Sequence, residues 1–454
     1  MDIDSSIFKS YDIRGVYPAS LNEKVAYKFG QAYTALLKKE NPGKELNIVV
    51  GCDMRLSSPS LKENLIKGLT DSGCNVVDVG LVSTPTFYFA VAFYKFDGGV
   101  QVSASHNPKE YNGFKLVRAG GKPISGDKGI YEIRDMIIKN DFAPSEKKGT
   151  VTVKANVLED EVNDQSKNID TASIKPFKIV VDAANAMGSL DVEALFKKTK
   201  CELIKMNFDL DGSFPVHQAD PLDEKNLAFV QKGVLDNKAD LGISVDGDAD
   251  RYFFVDEKGE VVRQEILRGI MAQIALAENP GATVCYDIRP GKITKDMIEE
   301  VGGKAVVTKV GHSLIKEKML ELDAVFGGES SGHYFYKLAY GTFEAPTMLV
   351  LKLLFYLSKQ NKPFSEIVKP LKKYFHSGEV NLKIEDKAGA IQKVKAKYAD
   401  GKINELDGLT VEYPDFWFNL RASNTEPLLR LSVEAVSAEI LAKKKEELLA
   451  IINN

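Results

Sequence analysis

Cysteine is scarce in this chain. Only Cys52, Cys74, Cys201 and Cys285 occur, and no two of them form a Cys-x-x-Cys pair. That spacing builds neither a zinc site nor a disulfide framework, and it fits a reducing compartment. No apolar run approaches the roughly 20 residues needed to cross a bilayer. The first eleven residues carry Asp2 and Asp4 and hold no apolar stretch of signal-peptide length, so a cytoplasmic protein is expected. Strong charge of either sign is also missing. The net charge is −4 and no basic run or basic helix face appears, which argues against nucleic acid or an anionic membrane as partner.

What is present is an ordinary globular balance, 44% hydrophobic and 27% charged, over 454 residues, enough for several domains. Apolar runs rich in β-branched residues alternate with helical patterns, as in α/β proteins. Three runs end alike: Ile48-Val49-Val50-Gly51-Cys52 before Asp53, Ile179-Val180-Val181 before Asp182, and Thr283-Val284-Cys285-Tyr286 before Asp287. A helical pattern and a second short apolar run follow each, which reads as three divergent copies of one layout. The polar stretch 144–170 reads as a connector joined to an exposed element. After Pro370 the character changes to strand-like Glu379–Ile384, Leu409–Glu412 and a run through Phe416-Trp417-Phe418, closed by a helix from about Ala438 to Ile451. The expected domains are 1–146, 147–259 and 260–371, all α/β, and a smaller α+β unit at 372–454.

Four segments carry chemistry. Ser103-Ala104-Ser105-His106-Asn107-Pro108 follows the apolar strand Gly98–Val102, so Ser105 sits on a loop at a strand end. Such a hydroxyl accepts a phosphoryl group when a base and a metal stand near it, and His106 and Lys115 are candidate bases. The alternative is a helix-capping Ser-x-x-Pro loop. Asp246-Gly247-Asp248-Ala249-Asp250-Arg251 places three alternating carboxylates around a tight turn. An EF-hand is excluded because Arg251 stands where its glycine is needed and the flanks read as strands. The open positions left by three carboxylates suit Mg²⁺ holding a phosphate oxygen.

Gly327-Gly328-Glu329-Ser330-Ser331-Gly332-His333 offers acceptors and a donor for vicinal hydroxyls, from Glu329 and Ser331. Arg421-Ala422-Ser423-Asn424-Thr425-Glu426-Pro427 concentrates an arginine with three short polar side chains, a fitting nest for a phosphate dianion. Together these supply what a phosphate-shifting mutase needs: a nucleophile that stores phosphate, a metal, a sugar clamp and a second phosphate anchor.

In that order, Ser-His-Asn-Pro, Asp-Gly-Asp-Ala-Asp-Arg, Gly-Glu-x-Ser-Gly-His and Arg-x-Ser-Asn-Thr-Glu-Pro resemble the α-D-phosphohexomutase superfamily, nearest its phosphomannomutase/phosphoglucomutase group. The resemblance runs from Tyr11-Asp12-Ile13-Arg14-Gly15 to the terminal helix. It implies three similar mixed-sheet α/β domains and a smaller C-terminal α+β domain around a central cleft. It implies a phosphorylated Ser105 that interconverts hexose 1-phosphate and 6-phosphate of mannose or glucose, with hexose 1,6-bisphosphate as intermediate and activator.

By the same resemblance Asp246, Asp248 and Asp250 hold Mg²⁺ with a phosphoserine oxygen. Lys115 matches the general base, supported by His106, Arg251 and Arg14. Glu329 and Ser331 match sugar contacts, and Arg421, Ser423, Asn424 and Thr425 match the distal phosphate loop. Tyr11, Arg289, His312 and His333 fall at further substrate-binding positions. A monomer or weak homodimer is expected.

Two departures from the family pattern stand out. Gly341-Thr342-Phe343-Glu344-Ala345-Pro346 replaces a segment that is often Asp-Asp-Gly, and Arg289 stands where relatives often have lysine. Ser330 and the Ala422/Asn424 pair argue against a phosphoglucosamine or N-acetylglucosamine-phosphate mutase. Retention of Ser105 and all three aspartates argues against a non-catalytic sugar-phosphate-binding relative. A phosphatase has no use for a second phosphate nest. His376 is expected at the surface, and His217 has no role readable from the residues.

Overall fold

The structure is a computed structural model that describes residues 3–142, 145–423 and 428–453. The chain divides into two compact units, one of Met1–Val262 with Ser331–Ser365 and one of Arg263–Ser330 with Glu366–Asn454.

The first unit begins with a seven-stranded sheet whose central strand is Asn47–Cys52, flanked in parallel by Asn75–Leu81 and Gly98–Val102. Tyr111–Arg118 runs antiparallel beside Gly98–Val102, and Ile13–Val16 antiparallel beside that. Side chains alternate across a strand, and the central strand shows it. Ile48, Val50 and Cys52 enter a core under the helices Glu23–Glu40 and Ser58–Asp71, whereas Val49 enters a second core under the helix Thr84–Phe93. The two helices on the first face cross closely because Gly30 and Gly68 lie at their contact. A Cβ on Gly68 would stand 2.1 Å from the Tyr27 carbonyl oxygen.

The second sheet repeats the plan. Lys178–Asp182 is central, flanked in parallel by Glu202–Met206 and Leu241–Val245, with Tyr252–Asp256 antiparallel at the edge. In the second unit Thr283–Asp287 is again flanked in parallel by Lys304–Thr308 and Phe326–Gly328. The three strands singled out by their terminal aspartates are therefore the central strands of three related sheets. Asp53 and Asp182 tie down the turn after their own strand, and Asp287 the turn after the neighbouring strand Phe326–Gly328. Asp53 accepts from Arg55 N at 3.0 Å and Asp182 from Ala184 N at 3.0 Å, while Asp287 lies 3.2 Å from Ser330 N.

Residues 375–435 form an antiparallel five-stranded sheet in the order Phe375–Leu382, Leu429–Ala435, Phe416–Ala422, Leu409–Glu412 and Lys402–Asn404. The helices Lys387–Lys397 and Ala438–Asn453 close its core through Val394, Leu448 and Ile452.

One expectation is incomplete. The stretch 144–170 holds an exposed element, the strand Val151–Val153, but also the helix Val157–Ser166, which buries Val157, Glu161, Val162, Gln165 and Ser166. The apolar periodicity is absent because three of the five buried residues, Glu161, Gln165 and Ser166, are polar. Glu161 is satisfied by Thr86 Oγ1 at 2.5 Å and Gln165 Nε2 at 2.8 Å.

Candidate active site

Ser105 follows the strand Gly98–Val102 and adopts φ = 52°, the left-handed region that a side chain with a Cβ rarely enters. The strain is held by its surroundings. Ser105 N donates to Ser103 Oγ at 3.0 Å. The buried guanidinium of Arg55 donates to the carbonyls of Ser105 (2.7 Å), Asn107 (2.6 Å), Pro108 (2.8 Å) and Tyr111 (3.0 Å). Gln218 Nε2 donates to the His106 carbonyl at 2.8 Å. Sequence reasoning singles out neither Arg55 nor Gln218. The available signal for Arg55 was a charge directly after a buried strand, and for Gln218 there was none.

The metal-loop candidate is the turn of the hairpin Leu241–Val245/Tyr252–Asp256, as its flanks predict. Asp246, Asp248 and Asp250 are all buried, and one carboxylate oxygen from each lies within 4.8 Å of the others. Ser105 Oγ donates to Asp246 Oδ2 at 2.9 Å and lies 3.1 Å from His106 Nδ1. Lys115, on the strand Tyr111–Arg118, donates to Asp248 Oδ2 at 2.5 Å and to Asp250 Oδ2 at 2.6 Å. His333 Nε2 lies 3.1 Å from Asp250 Oδ1, and its Nδ1 lies 2.9 Å from Ser331 Oγ. Asp248 Oδ1 is buried and has no hydrogen-bond partner. Three hard oxygen donors, one of them unsatisfied, fit Mg²⁺.

The electrostatics follow from burying so many charges together. Burial, then the Asp250 and Asp248 charges, holds the Asp246 carboxyl well above the usual range. Burial opposes the Asp250 charge too, but Lys115 and His333 outweigh it and bring that carboxyl well below. Burial likewise opposes the Lys115 charge, and Asp248 and Asp250 outweigh it, so the ammonium holds its proton tightly. His106 is held well below its ordinary value by burial and then by the Arg251 and Arg14 cations, so the ring is neutral.

Arg14 donates through Nε to Asp12 Oδ2 at 2.8 Å and through a second nitrogen to Asn107 Oδ1. Arg251 Nε lies 3.4 Å from His333 Nε2, and Arg251 Nη1 is buried without a hydrogen-bond partner. Tyr11 is half-buried ahead of the strand Ile13–Val16.

In the second unit, Glu329 is buried at the end of Phe326–Gly328. It accepts from Gly311 N at 2.8 Å and lies 3.9 Å from Arg289 Nη2. Arg289 donates to Asp287 Oδ2 at 2.5 Å. Burial opposes ionisation of Asp287, but the Arg289 and Arg268 guanidiniums outweigh it and hold its carboxyl at about 2. His312 opens the helix His312–Leu322 directly after Gly311. Buried Arg421 donates to Glu379 Oε2 at 2.6 Å, and Glu379 Oε1 also lies 3.1 Å from Arg430. Ser423 N donates to the Leu428 carbonyl at 2.9 Å. Asn424 and Thr425 lie outside the described residues.

Within the first unit the structure thus brings Ser105, His106, Lys115, Asp246, Asp248, Asp250, Arg251 and His333 together, and Ser331 joins them through His333. His333 engages the metal loop through Asp250, a contact that its expected place among substrate-binding residues does not foresee. Two other histidines are also resolved. His376 is half-buried rather than fully exposed, and its ring faces Glu265 Oε1 at 3.3 Å. His217 bridges Asp182 Oδ2 and the Gln218 carbonyl, both at 2.9 Å, and so braces the turn that carries Gln218.

Among the described residues no helix is long and apolar enough to cross a membrane. Four family models match in succession. Phosphoglucomutase/phosphomannomutase alpha/beta/alpha domains I, II and III match residues 5–144, 160–259 and 265–374, and the C-terminal domain matches 379–451. A phosphomannomutase of Vibrio cholerae is 38% identical over 98% of both chains, and one of Methanocaldococcus jannaschii is 38% identical over 99% of this chain and 98% of its own. The crystal structure of a phosphoglucomutase/phosphomannomutase family protein from Burkholderia thailandensis superposes with a TM-score of 0.91 at 34% identity, covering 99% of this chain and 98% of that one. Three α/β/α domains with mixed sheets, an antiparallel C-terminal domain and full-length identity at this level establish that the chain belongs to the phosphoglucomutase/phosphomannomutase family of the α-D-phosphohexomutases.

Proposed function

We propose that this protein is a phosphohexomutase that interconverts the 1- and 6-phosphates of mannose or glucose through a phosphoserine at Ser105. The observation that carries the reading is the buried juxtaposition of Ser105 Oγ with Asp246 Oδ2 at 2.9 Å, inside a cluster of three carboxylates. The names of its relatives, phosphomannomutase and phosphohexose mutase, support the substrate class.

In the first half-reaction the free hydroxyl of a hexose monophosphate attacks the phosphorus on Ser105. The bond from phosphorus to Ser105 Oγ breaks and a bond to the sugar oxygen forms, while the hydroxyl proton passes to a base of the loop. The product is the hexose 1,6-bisphosphate. In the second half-reaction Ser105 Oγ attacks the other phosphate and the sugar oxygen it leaves regains a proton. No phosphate is lost to water, so the net change is a shift of position.

Asp246, Asp248 and Asp250 would hold Mg²⁺. When bound, the ion would supply positive charge to phosphate oxygens and favour loss of the Lys115 proton. Arg251 contributes a buried cation with an uncommitted N–H group, suited to charge that builds on the phosphoryl oxygens. The Arg55 fork keeps the serine carbonyl and its neighbours fixed while phosphate comes and goes. In the second unit, Glu329 and Arg289 bind sugar and phosphate groups, together with His312. Arg421 and Ser423 take a phosphate, which requires that phosphate displace Glu379 from Arg421.

The test is a panel of glucose, mannose, glucosamine and N-acetylglucosamine 1-phosphates with Mg²⁺ and a trace of hexose 1,6-bisphosphate. Formation of mannose or glucose 6-phosphate, abolished by Ser105→Ala and reversibly by chelation of Mg²⁺, is the expected result. Turnover of an amino sugar alone would keep the family and overturn the substrate. Silence on all four would favour a non-catalytic binding protein.

A further inference from the structure

The helix Thr84–Phe93 opens against the metal loop rather than against solvent. Thr84 N donates to the Asp248 carbonyl at 3.0 Å, and Thr84 Oγ1 donates to Asp248 Oδ2 at 2.5 Å. Both residues are fully buried. The same Asp248 Oδ2 accepts from Lys115 Nζ at 2.5 Å, so one oxygen of this carboxylate is saturated while Oδ1 has no hydrogen-bond partner.

The threonine is itself held. Ser83 caps the helix through Thr86 N at 3.3 Å and donates to Thr86 Oγ1 at 2.9 Å. Thr86 Oγ1 donates in turn to Glu161 Oε2 at 2.5 Å. Pro85 in the first turn fixes the backbone at an angle that suits a helix start. Ser83, Thr86, Pro85 and Glu161 together pin the hydroxyl that meets Asp248.

We propose that Thr84 is a positioning residue for the metal loop. It fixes the Asp248 carboxylate so that Oδ1 is left as the donor for the divalent cation, an inference that rests on the assignment of Asp246, Asp248 and Asp250 as ligands. A carboxylate free to rotate offers either oxygen to Lys115. A donor that locks Oδ2 removes that choice, and partners of this outer kind typically govern about 10- to 100-fold in metal affinity.

The experiment is a calorimetric titration with Mg²⁺ alone of the wild-type protein, Thr84→Val and Thr84→Ser. Valine keeps the shape and loses the hydroxyl, whereas serine keeps the hydroxyl. The expected result is about tenfold or more weaker binding in Thr84→Val, affinity within about threefold of wild type in Thr84→Ser, and kcat largely restored in Thr84→Val at saturating Mg²⁺. Where valine prevents folding, Thr84→Ala set against Thr84→Ser makes the same comparison. Unchanged affinity in the valine or alanine protein, or equal loss in the serine protein, overturns the role of the hydroxyl while leaving the metal site intact. No Mg²⁺ binding by the wild-type protein overturns the ligand assignment itself.

Discussion

Gly247 of the metal loop packs directly against the backbone of the serine loop, and Gly247→Ala tests whether their spacing sets the rate. A Cβ at this position would stand 2.3 Å from the Ser105 carbonyl oxygen and 3.1 Å from its carbonyl carbon. Both are backbone atoms, so no side chain can swing aside. Ordinary contact requires the two loops to part by about 1 Å. The carbonyl cannot yield alone, because Arg55 Nη2 holds it at 2.7 Å.

Parting the loops lengthens the 2.9 Å contact from Ser105 Oγ to Asp246. A displacement of about 1 Å at reacting groups costs roughly 10²-fold in rate, or about 2.7 kcal/mol in activation free energy. The fold pays less, of the order of 1–3 kcal/mol for an overpacked contact. Steady-state kinetics beside thermal unfolding separate the two effects. The variant is expected to fold, to melt modestly lower and to lose about two orders of magnitude in kcat with KM nearly unchanged. A kcat within about threefold of wild type would refute the claim that the serine and the carboxylates act at contact distance.

Three other perturbations follow from the structure. Arg55→Met removes the donor to four loop carbonyls and leaves buried Asp53 without its cation; unfolding stability should fall by about 3–5 kcal/mol, and a loss below about 1 kcal/mol in a denaturant titration would contradict the bracing role. Arg421→Ala should raise the KM for hexose phosphate by about 30- to 150-fold, the equivalent of about 2–3 kcal/mol for a charge-assisted contact, while an unchanged KM would show that Arg421 serves only Glu379. Burial, then the Asp191 charge, raises the Glu161 carboxyl to about 8. A folded-state value above the unfolded one lowers stability progressively as pH rises from about 4.5 to about 8, so Glu161→Gln should gain stability relative to wild type across that window, and parallel stability–pH curves for the two proteins would exclude the effect.

The sequence exposes the parts of this molecule that follow local rules. The central strands ending at Asp53, Asp182 and Asp287 are legible because short apolar runs and a turn-forming aspartate recur together. The metal hairpin is legible because three carboxylates flanked by apolar strands admit few geometries. The helix Val157–Ser166 escapes because Glu161 and Gln165 occupy buried positions whose satisfaction depends on Thr86, 75 residues away from Glu161. Arg55 escapes for the same reason, since its four carbonyl acceptors lie 50 to 56 residues further along. His376 reads as exposed because its partner Glu265 is remote in sequence. Buried polar groups obey pairing rules as strict as those of apolar ones, but the pairs are long-range, and no local window contains both halves.

The repeat also explains where the chemistry sits. In each α/β copy the central strand has two parallel neighbours, and the functional loop always follows the third strand in chain order. Ser105 follows Gly98–Val102, Asp246 follows Leu241–Val245, and Glu329 stands directly after Phe326–Gly328. The central strand's own carboxyl end is occupied each time by an aspartate that binds the backbone of a nearby turn, so it contributes rigidity rather than reaction. Carboxyl ends of parallel strands are where open α/β sheets place their ligands. One position in the repeat therefore carries a buried serine, the first carboxylate of a buried triad and a hydrogen-bonding glutamate, while the neighbouring position keeps an aspartate bound to turn backbone in all three copies. Exchanging Asp182 for Asn should accordingly lower stability far more than it lowers kcat per folded molecule, the reverse of the outcome for Asp246→Asn. Thermal unfolding with active-site titration of the two variants distinguishes them, and equal losses in both would show that the copies do not divide their labour in this way.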